Sequence, residues 1–210
     1  MNKLISLLVL TLLPFFANST DYQEGEHYVK VKNIAVEAPE VREYFSFYCG
    51  HCFNFEPMAK SIESNLPAGT SFEKNHVDFL RGASRKVQQL LTRALITAQA
   101  MGIAESQTAA IFKYIHVHRG VFISIKDVRN VFVLNGVDGA KFDDLMASES
   151  VNAQADKMKS NQDILATSGD LKSVPSVVVN GKYMIDVHGL NKDNIEQDYN
   201  NLVKYLLTLD

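Results

Sequence analysis

The residues best suited to chemistry are two cysteines separated by two residues, Cys49 and Cys52, and the 210-residue chain has no others. A C-x-x-C pair is typical of thiol–disulfide exchange, and a disulfide closing so short a loop would restrain little of an unfolded chain. Structural zinc is the alternative, but a zinc site needs about four ligands, and the sequence has no second C-x-x-C or H-x3-5-H pair. We therefore expect redox chemistry at both cysteines, without a metal or a cofactor.

The residues around the motif predict where it lies. The segment 41–48 is rich in aromatic and β-branched residues and predicts a buried strand, and the apolar residues after Cys52 follow helical spacing. Cys49 is then expected where the strand ends and the helix begins, where free N–H groups and the helix dipole lower its pKa. His51 can add a charge or a hydrogen bond to the same sulfur. Cys52, one turn inside the helix, is the less acidic, resolving thiol, and Cys49 is the attacking and attacked one.

A regular order of further elements follows the motif. Alternating residues predict a strand over 72–79, and a period of 3.6 residues predicts a helix over 87–101 that ends before Gly102. Ser124-Ile125-Lys126-Asp127 is a capping signal for another helix. Asn180-Gly181 predicts a β-hairpin over 176–185, and Pro175 before it must open an edge strand or take a special conformation. The remaining helices are predicted near 111–115, 141–146, 152–165 and 195–206.

Composition and the N-terminus restrict the class of protein. Hydrophobic residues make up 46% and charged residues 21%, as in an ordinary globular protein, and the net charge of -3 gives no field that would recruit nucleic acid. Lys3, an apolar run over 4–16 and Ala17-Asn18-Ser19 predict a cleavable signal peptide over 1–19. The run falls short of the roughly 20 residues that span a bilayer, so we expect export without stable membrane insertion; an uncleaved anchor is the alternative.

These features together resemble the DsbA family of periplasmic thiol:disulfide oxidoreductases. The resemblance is carried by 45–52 (Phe-Ser-Phe-Tyr-Cys-Gly-His-Cys), by Val174-Pro175, by 179–183 (Val-Asn-Gly-Lys-Tyr) and by the helical insertion. It implies an α/β protein with a thioredoxin fold over 20–80 and 164–210 and an inserted all-helical domain over 81–163. Val174 and Pro175 then match the cis-proline loop of the family, which offers backbone groups to substrate peptides.

The same resemblance assigns Glu43 and Lys74 to a buried charged pair beneath the disulfide that helps to move protons. From the residues alone, a charged side chain in a strand more often lies at a solvated edge. Four of the histidines outside the motif have no partner cluster in the sequence, so surface or core roles are expected for them. They are His76, His116, His118 and His188.

Gly50 departs from the family pattern, which has proline at that position. The resulting Gly-His dipeptide between the cysteines could shift the activity from that of a strong oxidase toward that of an isomerase, or Gly50 could simply loosen the turn. We expect an oxidase that donates the Cys49–Cys52 disulfide to unfolded exported proteins, acts as a monomer in the periplasm and is reoxidised by a DsbB-type membrane partner. A disulfide isomerase or reductase is the alternative, and a peptide-binding module with a structural disulfide is the alternative from another class.

Overall fold

Five strands form one mixed sheet in a computed structural model that describes residues 21–209. The predicted signal peptide lies outside these residues. The strands are β1 (Tyr28–Lys30), β2 (Glu40–Phe45), β3 (Ser71–His76), β4 (Ser176–Val179) and β5 (Tyr183–Ile185). Their order in the sheet is β1-β5-β4-β2-β3. The helices are α1 (Gly50–Asn65), α2 (Arg85–Ala100), α3 (Ala104–His116), α4 (Ile125–Leu134), α5 (Gly139–Ala147), α6 (Glu149–Ser168) and α7 (Ile195–Leu206).

Strand β2 is the centre of the sheet and leads directly to the C-x-x-C motif. All six of its residues are buried, and it pairs in parallel with β3 and antiparallel with β4. The predicted hairpin joins β4 to β5, and both of its turn residues, Asn180 and Gly181, have positive φ, as an Asn-Gly turn requires. A Cβ on Gly181 would lie 2.0 Å from the backbone oxygen of Ile34, so the loop before β2 passes directly over this turn.

The five helices between β3 and β4 follow the sequence predictions in order. The hydroxyl of Ser84 caps α2, which ends two residues before Gly102, where φ is +70°. The predicted capping signal of α4 is also confirmed, since Asp127 Oδ2 accepts the backbone N–H of Ser124 at 2.8 Å. The predicted domain boundary after 163 falls inside the continuous helix α6, and the division into domains stays a prediction.

Among residues 21–209, three apolar clusters fill the interior, and the largest joins the end of β2 to the helices. Phe45 and Phe47, both fully buried, belong to the same cluster as Phe112 on α3 and Phe132 on α4. The other two clusters lie on the remaining surfaces of the sheet, one of them against α1 and α7. The strand that leads to the cysteines is therefore packed against the helical segment as well as against its own sheet.

Strand β1 is one feature that the sequence did not predict. It is three residues long and pairs antiparallel with β5 at the edge of the sheet. So short a segment shows no clear alternation, and its pairing depends on a partner strand far along the chain.

Candidate active site

The turn between β2 and α1 places Cys49 at the predicted position, where the strand ends and the helix begins. Its backbone N–H donates to Ser46 O at 3.0 Å, and the N–H of Tyr48 donates to Ser46 Oγ at 3.2 Å. Cys49 is the N-cap residue of α1, and its Sγ accepts the backbone N–H of Cys52 at 3.1 Å. A sulfur in this position satisfies a donor that the helix itself leaves unpaired.

The two cysteines are free thiols in this structure, and their pKa values are shifted in opposite directions. The pKa of Cys49 is lowered to about 6, chiefly by the hydrogen bond from the Cys52 thiol. The backbone N–H groups of Cys52 and His51 and the charge of His51 lower it further, whereas burial of the sulfur opposes the shift. The pKa of Cys52 is raised, because its thiol donates to Cys49, it is fully buried, and Cys49 and Glu43 are negative neighbours. Cys49 is therefore the thiolate at neutral pH.

The loop before β4 lies across from the Cys49 sulfur. The Val174–Pro175 peptide bond is cis, as the family resemblance implies. Cys49 Sγ lies 3.3 Å from the backbone oxygen of Val174, to which it can donate a hydrogen bond only while it is protonated. Both loop residues are half-buried, so their backbone is reachable from the same side as the nucleophile.

Glu43 and Lys74 face each other as register partners on β2 and β3. Glu43 is fully buried, so the interpretation as a solvated strand edge is wrong; its carboxylate has Lys74 Nζ at 3.0 Å. Burial raises the pKa of Glu43 to about 7, although the Lys74 ammonium opposes the rise. Burial alone would lower the pKa of Lys74, but Glu43 and Glu56 together raise it. Glu43 can thus exchange a proton near neutral pH.

Glu56 is a member of this charged cluster that the sequence analysis missed. Lys74 donates its hydrogen bond to Glu56, which lies on α1. The signal was available, because Glu56 is four residues after Cys52 and so lies on the same face of the helix. Glu56 and Lys74 line a surface cleft of about 340 Å³, so the two connect the buried Glu43 to solvent.

His116 is a second residue near the motif for which the sequence analysis expected only an ordinary role. Its Nε2 lies 2.8 Å from the backbone oxygen of Phe47, and its ring stacks on Phe53 with centroids 5.4 Å apart. No spacing in the sequence could show this contact, because the fold of the helical segment brings the end of α3 to the start of α1.

A dithiol at the N-terminus of the helix that follows a central strand, with a cis-proline loop against the outer sulfur, defines a thiol–disulfide oxidoreductase of thioredoxin fold. The family model of the DSBA-like thioredoxin domain matches residues 40–199. The chain belongs to this DsbA family, with the α/β fold that the sequence predicted.

Relatives and solved structures agree over nearly the whole chain. The thiol:disulfide interchange protein DsbA of Pectobacterium carotovorum is 33% identical over 214 residues, which cover 99% of either chain. The DsbA of Escherichia coli strain K12 is 31% identical and covers 98% of either chain. The crystal structure of the disulfide oxidoreductase DsbA from Proteus mirabilis has a TM-score of 0.79 at 29% identity, over 90% of this chain and 98% of that one.

Among residues 21–209, no three His, Cys, Asp or Glu side chains are grouped so that they could hold a metal ion. In the same range, no helix combines the length and apolar character needed to cross a membrane.

Proposed function

We propose that this protein oxidises newly exported proteins in the periplasm by transferring its Cys49–Cys52 disulfide to them. The observation that carries the proposal is the Cys49 sulfur, which the start of α1 stabilises as a thiolate. A stable thiolate favours the reduced protein, and the corresponding disulfide is therefore a strong oxidant. The predicted signal peptide and the family membership support the location.

The exchange proceeds in two displacements. A substrate thiolate attacks Cys49 Sγ, the bond to Cys52 breaks, and Cys52 leaves with the electron pair and takes up a proton. A mixed disulfide then joins Cys49 to the substrate. A second substrate thiolate attacks the substrate sulfur of that bond, which forms the substrate disulfide and releases Cys49 as its thiolate. The substrate is oxidised by two electrons, and the protein is reduced by two.

Glu43 is the proposed proton donor to Cys52. The raised pKa of Cys52 means that this sulfur must be protonated when it leaves, whereas Cys49 need not be. Glu43 has a pKa of about 7, and its charge acts on Cys52. Lys74 and Glu56 then return the proton from the solvent cleft, since both contact the cluster and line that cleft.

Val174 and Pro175 are the proposed binding point for an extended substrate peptide. The Val174 oxygen lies beside the Cys49 sulfur, and β4 continues directly from this loop. The Proteus mirabilis DsbA has been solved with the non-covalently bound peptide PWATCDS. We propose that unfolded exported proteins bind this chain in the same manner, that a DsbB-like membrane protein reoxidises it, and that it acts as a monomer.

The test is oxidation of a reduced, unfolded protein containing two cysteines, together with the equilibrium of the purified protein with glutathione. We expect stoichiometric oxidation and an equilibrium far toward the reduced protein. Cys49→Ser should abolish transfer, and Cys52→Ser should trap the mixed disulfide. An equilibrium near the glutathione potential, with activity only on scrambled disulfides, would indicate an isomerase. Substrate binding that supports folding equally well in Cys49→Ser would indicate a peptide-binding module.

A further inference from the structure

One α3 side chain, His116, contacts residues on both sides of the C-x-x-C motif. His116 Nε2 lies 2.8 Å from the Phe47 backbone oxygen, two residues before Cys49. The imidazole is nearly parallel to the Phe53 ring, at an interplanar angle of 8°, one residue after Cys52. A Cβ placed on Gly50 would lie 3.9 Å from His116 Cε1 and 4.0 Å from Nδ1. The same ring thus contacts the chain before and after the motif and lies close to Gly50 within it.

The hydrogen bond to Phe47 fixes both the ring and the turn. A carbonyl oxygen only accepts, so Nε2 carries the proton that is donated, and Nδ1 is the ring nitrogen on the side of Gly50. Phe47 is fully buried, and a buried carbonyl requires a partner. It lies inside the turn from Ser46 to Cys49, which carries the Cys49 sulfur to the N-terminus of α1.

We propose that His116 is a positioning residue for the Cys49 thiolate, which it controls through the Phe47 carbonyl and the turn before the motif. The low pKa of Cys49 depends first on the hydrogen bond from the Cys52 thiol and then on the backbone N–H groups of Cys52 and His51 at the start of α1. Those bonds weaken steeply when the sulfur moves or its angle to the N–H groups changes. Loss of the His116 bond loosens the turn, so the sulfur spends less time in the geometry that stabilises its charge. The proposal rests on the proposed function only for the meaning of the redox readout.

The test compares two substitutions of different chemistry at the same position. His116→Phe keeps an aromatic ring to stack on Phe53 but has no donor, whereas His116→Gln keeps a side-chain N–H for the Phe47 oxygen. His118→Phe is the matched control, because His118 is exposed and follows His116 by two residues. The thiolate titration of Cys49, followed by ultraviolet absorbance, and the equilibrium constant with glutathione are measured for all four proteins.

We expect His116→Phe to raise the pKa of Cys49 by about 0.5 to 1 unit and to make the disulfide about threefold to tenfold less oxidising, as loss of one hydrogen bond implies. His116→Gln and His118→Phe should stay within about twofold of the parent, which is below the contribution of one typical hydrogen bond. A merely structural role would lower the unfolding midpoint and leave both redox readouts unchanged; that result would overturn the proposal. It would also be overturned if His116→Gln behaved like His116→Phe.

A measurement on the unsubstituted protein keeps the proposal testable if His116→Phe does not fold. Nitrogen NMR of the imidazole in the reduced protein distinguishes the two neutral tautomers. We expect the proton on Nε2, and a neutral ring with the proton on Nδ1 would contradict the donated hydrogen bond. A failure of the proposed oxidase function would be separate, since it would appear as a glutathione equilibrium of the parent protein that is not oxidising.

Discussion

The stability of the reduced protein should rise with pH because of Cys49. The thiol has a folded pKa of about 6 against an ordinary value of 9.0, so the unfolded state binds more protons between these two values. The free energy of unfolding therefore increases through this window as the pH rises. The contribution is complete above the unfolded pKa and is lost as the pH falls through the folded one.

The pKa shift sets the size of this effect. From the two pKa values, linkage gives a gain of about 2.6 kcal/mol between about pH 5 and about pH 8. Cys49 is 7% exposed, and because an effective dielectric constant near 20 describes even buried sites, we expect about 1 to 2 kcal/mol to be observed.

Glu43 opposes this trend and must be separated from it. Its folded pKa of about 7 is above its ordinary value of 4.5, so its contribution to stability is present at low pH and is lost as the pH rises through 7. The variant Cys49→Ala keeps Glu43 and removes the thiolate. The difference between parent and variant, both reduced, therefore removes most of the Glu43 contribution and leaves that of Cys49 together with its effect on the pKa of Glu43.

The assay is urea unfolding of the reduced parent and reduced Cys49→Ala at the two pH values, in the presence of reductant. The oxidised parent, unfolded without reductant, is a second control because it has no thiol to ionise. The difference between reduced parent and Cys49→Ala should grow by about 1 to 2 kcal/mol from the lower to the higher pH. A difference that is independent of pH would refute the argument that the start of α1 stabilises the Cys49 thiolate.

Three further substitutions, the last of them with a matched control variant, test other parts of the structure. Glu43→Gln should stabilise the protein at pH 8 by about 1 to 3 kcal/mol, because it removes a buried charge, and should give no gain at pH 4; thermal unfolding at both pH values measures this, and a loss at pH 8 would contradict the raised pKa. Gly50→Pro should stabilise by about 0.4 to 1 kcal/mol, because proline suits the first helical position; a lower urea midpoint would contradict this. Gly181→Ala should cost more than about 2 kcal/mol, because the new Cβ adds a backbone clash to the cost of positive φ. Gly69→Ala, also at positive φ but with open space around it, should lower the melting temperature distinctly less.

Local signals predicted much of the fold and the position of the nucleophile. The Asn180-Gly181 turn and the capping residues of α4 act within a few residues of themselves, so their geometry is readable from the chain. Cys49 at the start of α1 follows from a strand pattern directly before a helix pattern.

Contacts between distant segments could not be predicted in this way. The family resemblance, rather than the residue pattern, suggested that Glu43 is buried, because its burial depends on Lys74 facing it from the neighbouring strand. Glu56 had a local signal, its position on the Cys52 face of α1, but nothing in the sequence indicated which cation it meets. His116 had no local signal, since its neighbours come from the other end of a long helical segment.

The shared packing of Phe45 and Phe47 ties the strand that leads to the active site to the helices that follow it in the chain. Excising the helices between β3 and β4 would uncover the apolar side of the strand that ends at the active-site turn. The backbone oxygen of Met158 and the side chain of Gln162, both on α6, also accept hydrogen bonds from the end of β3 and the residues just after it. We therefore expect the reactive dithiol and the helical segment to unfold together, and a graft of the motif region alone onto another protein to lose the acidity of Cys49.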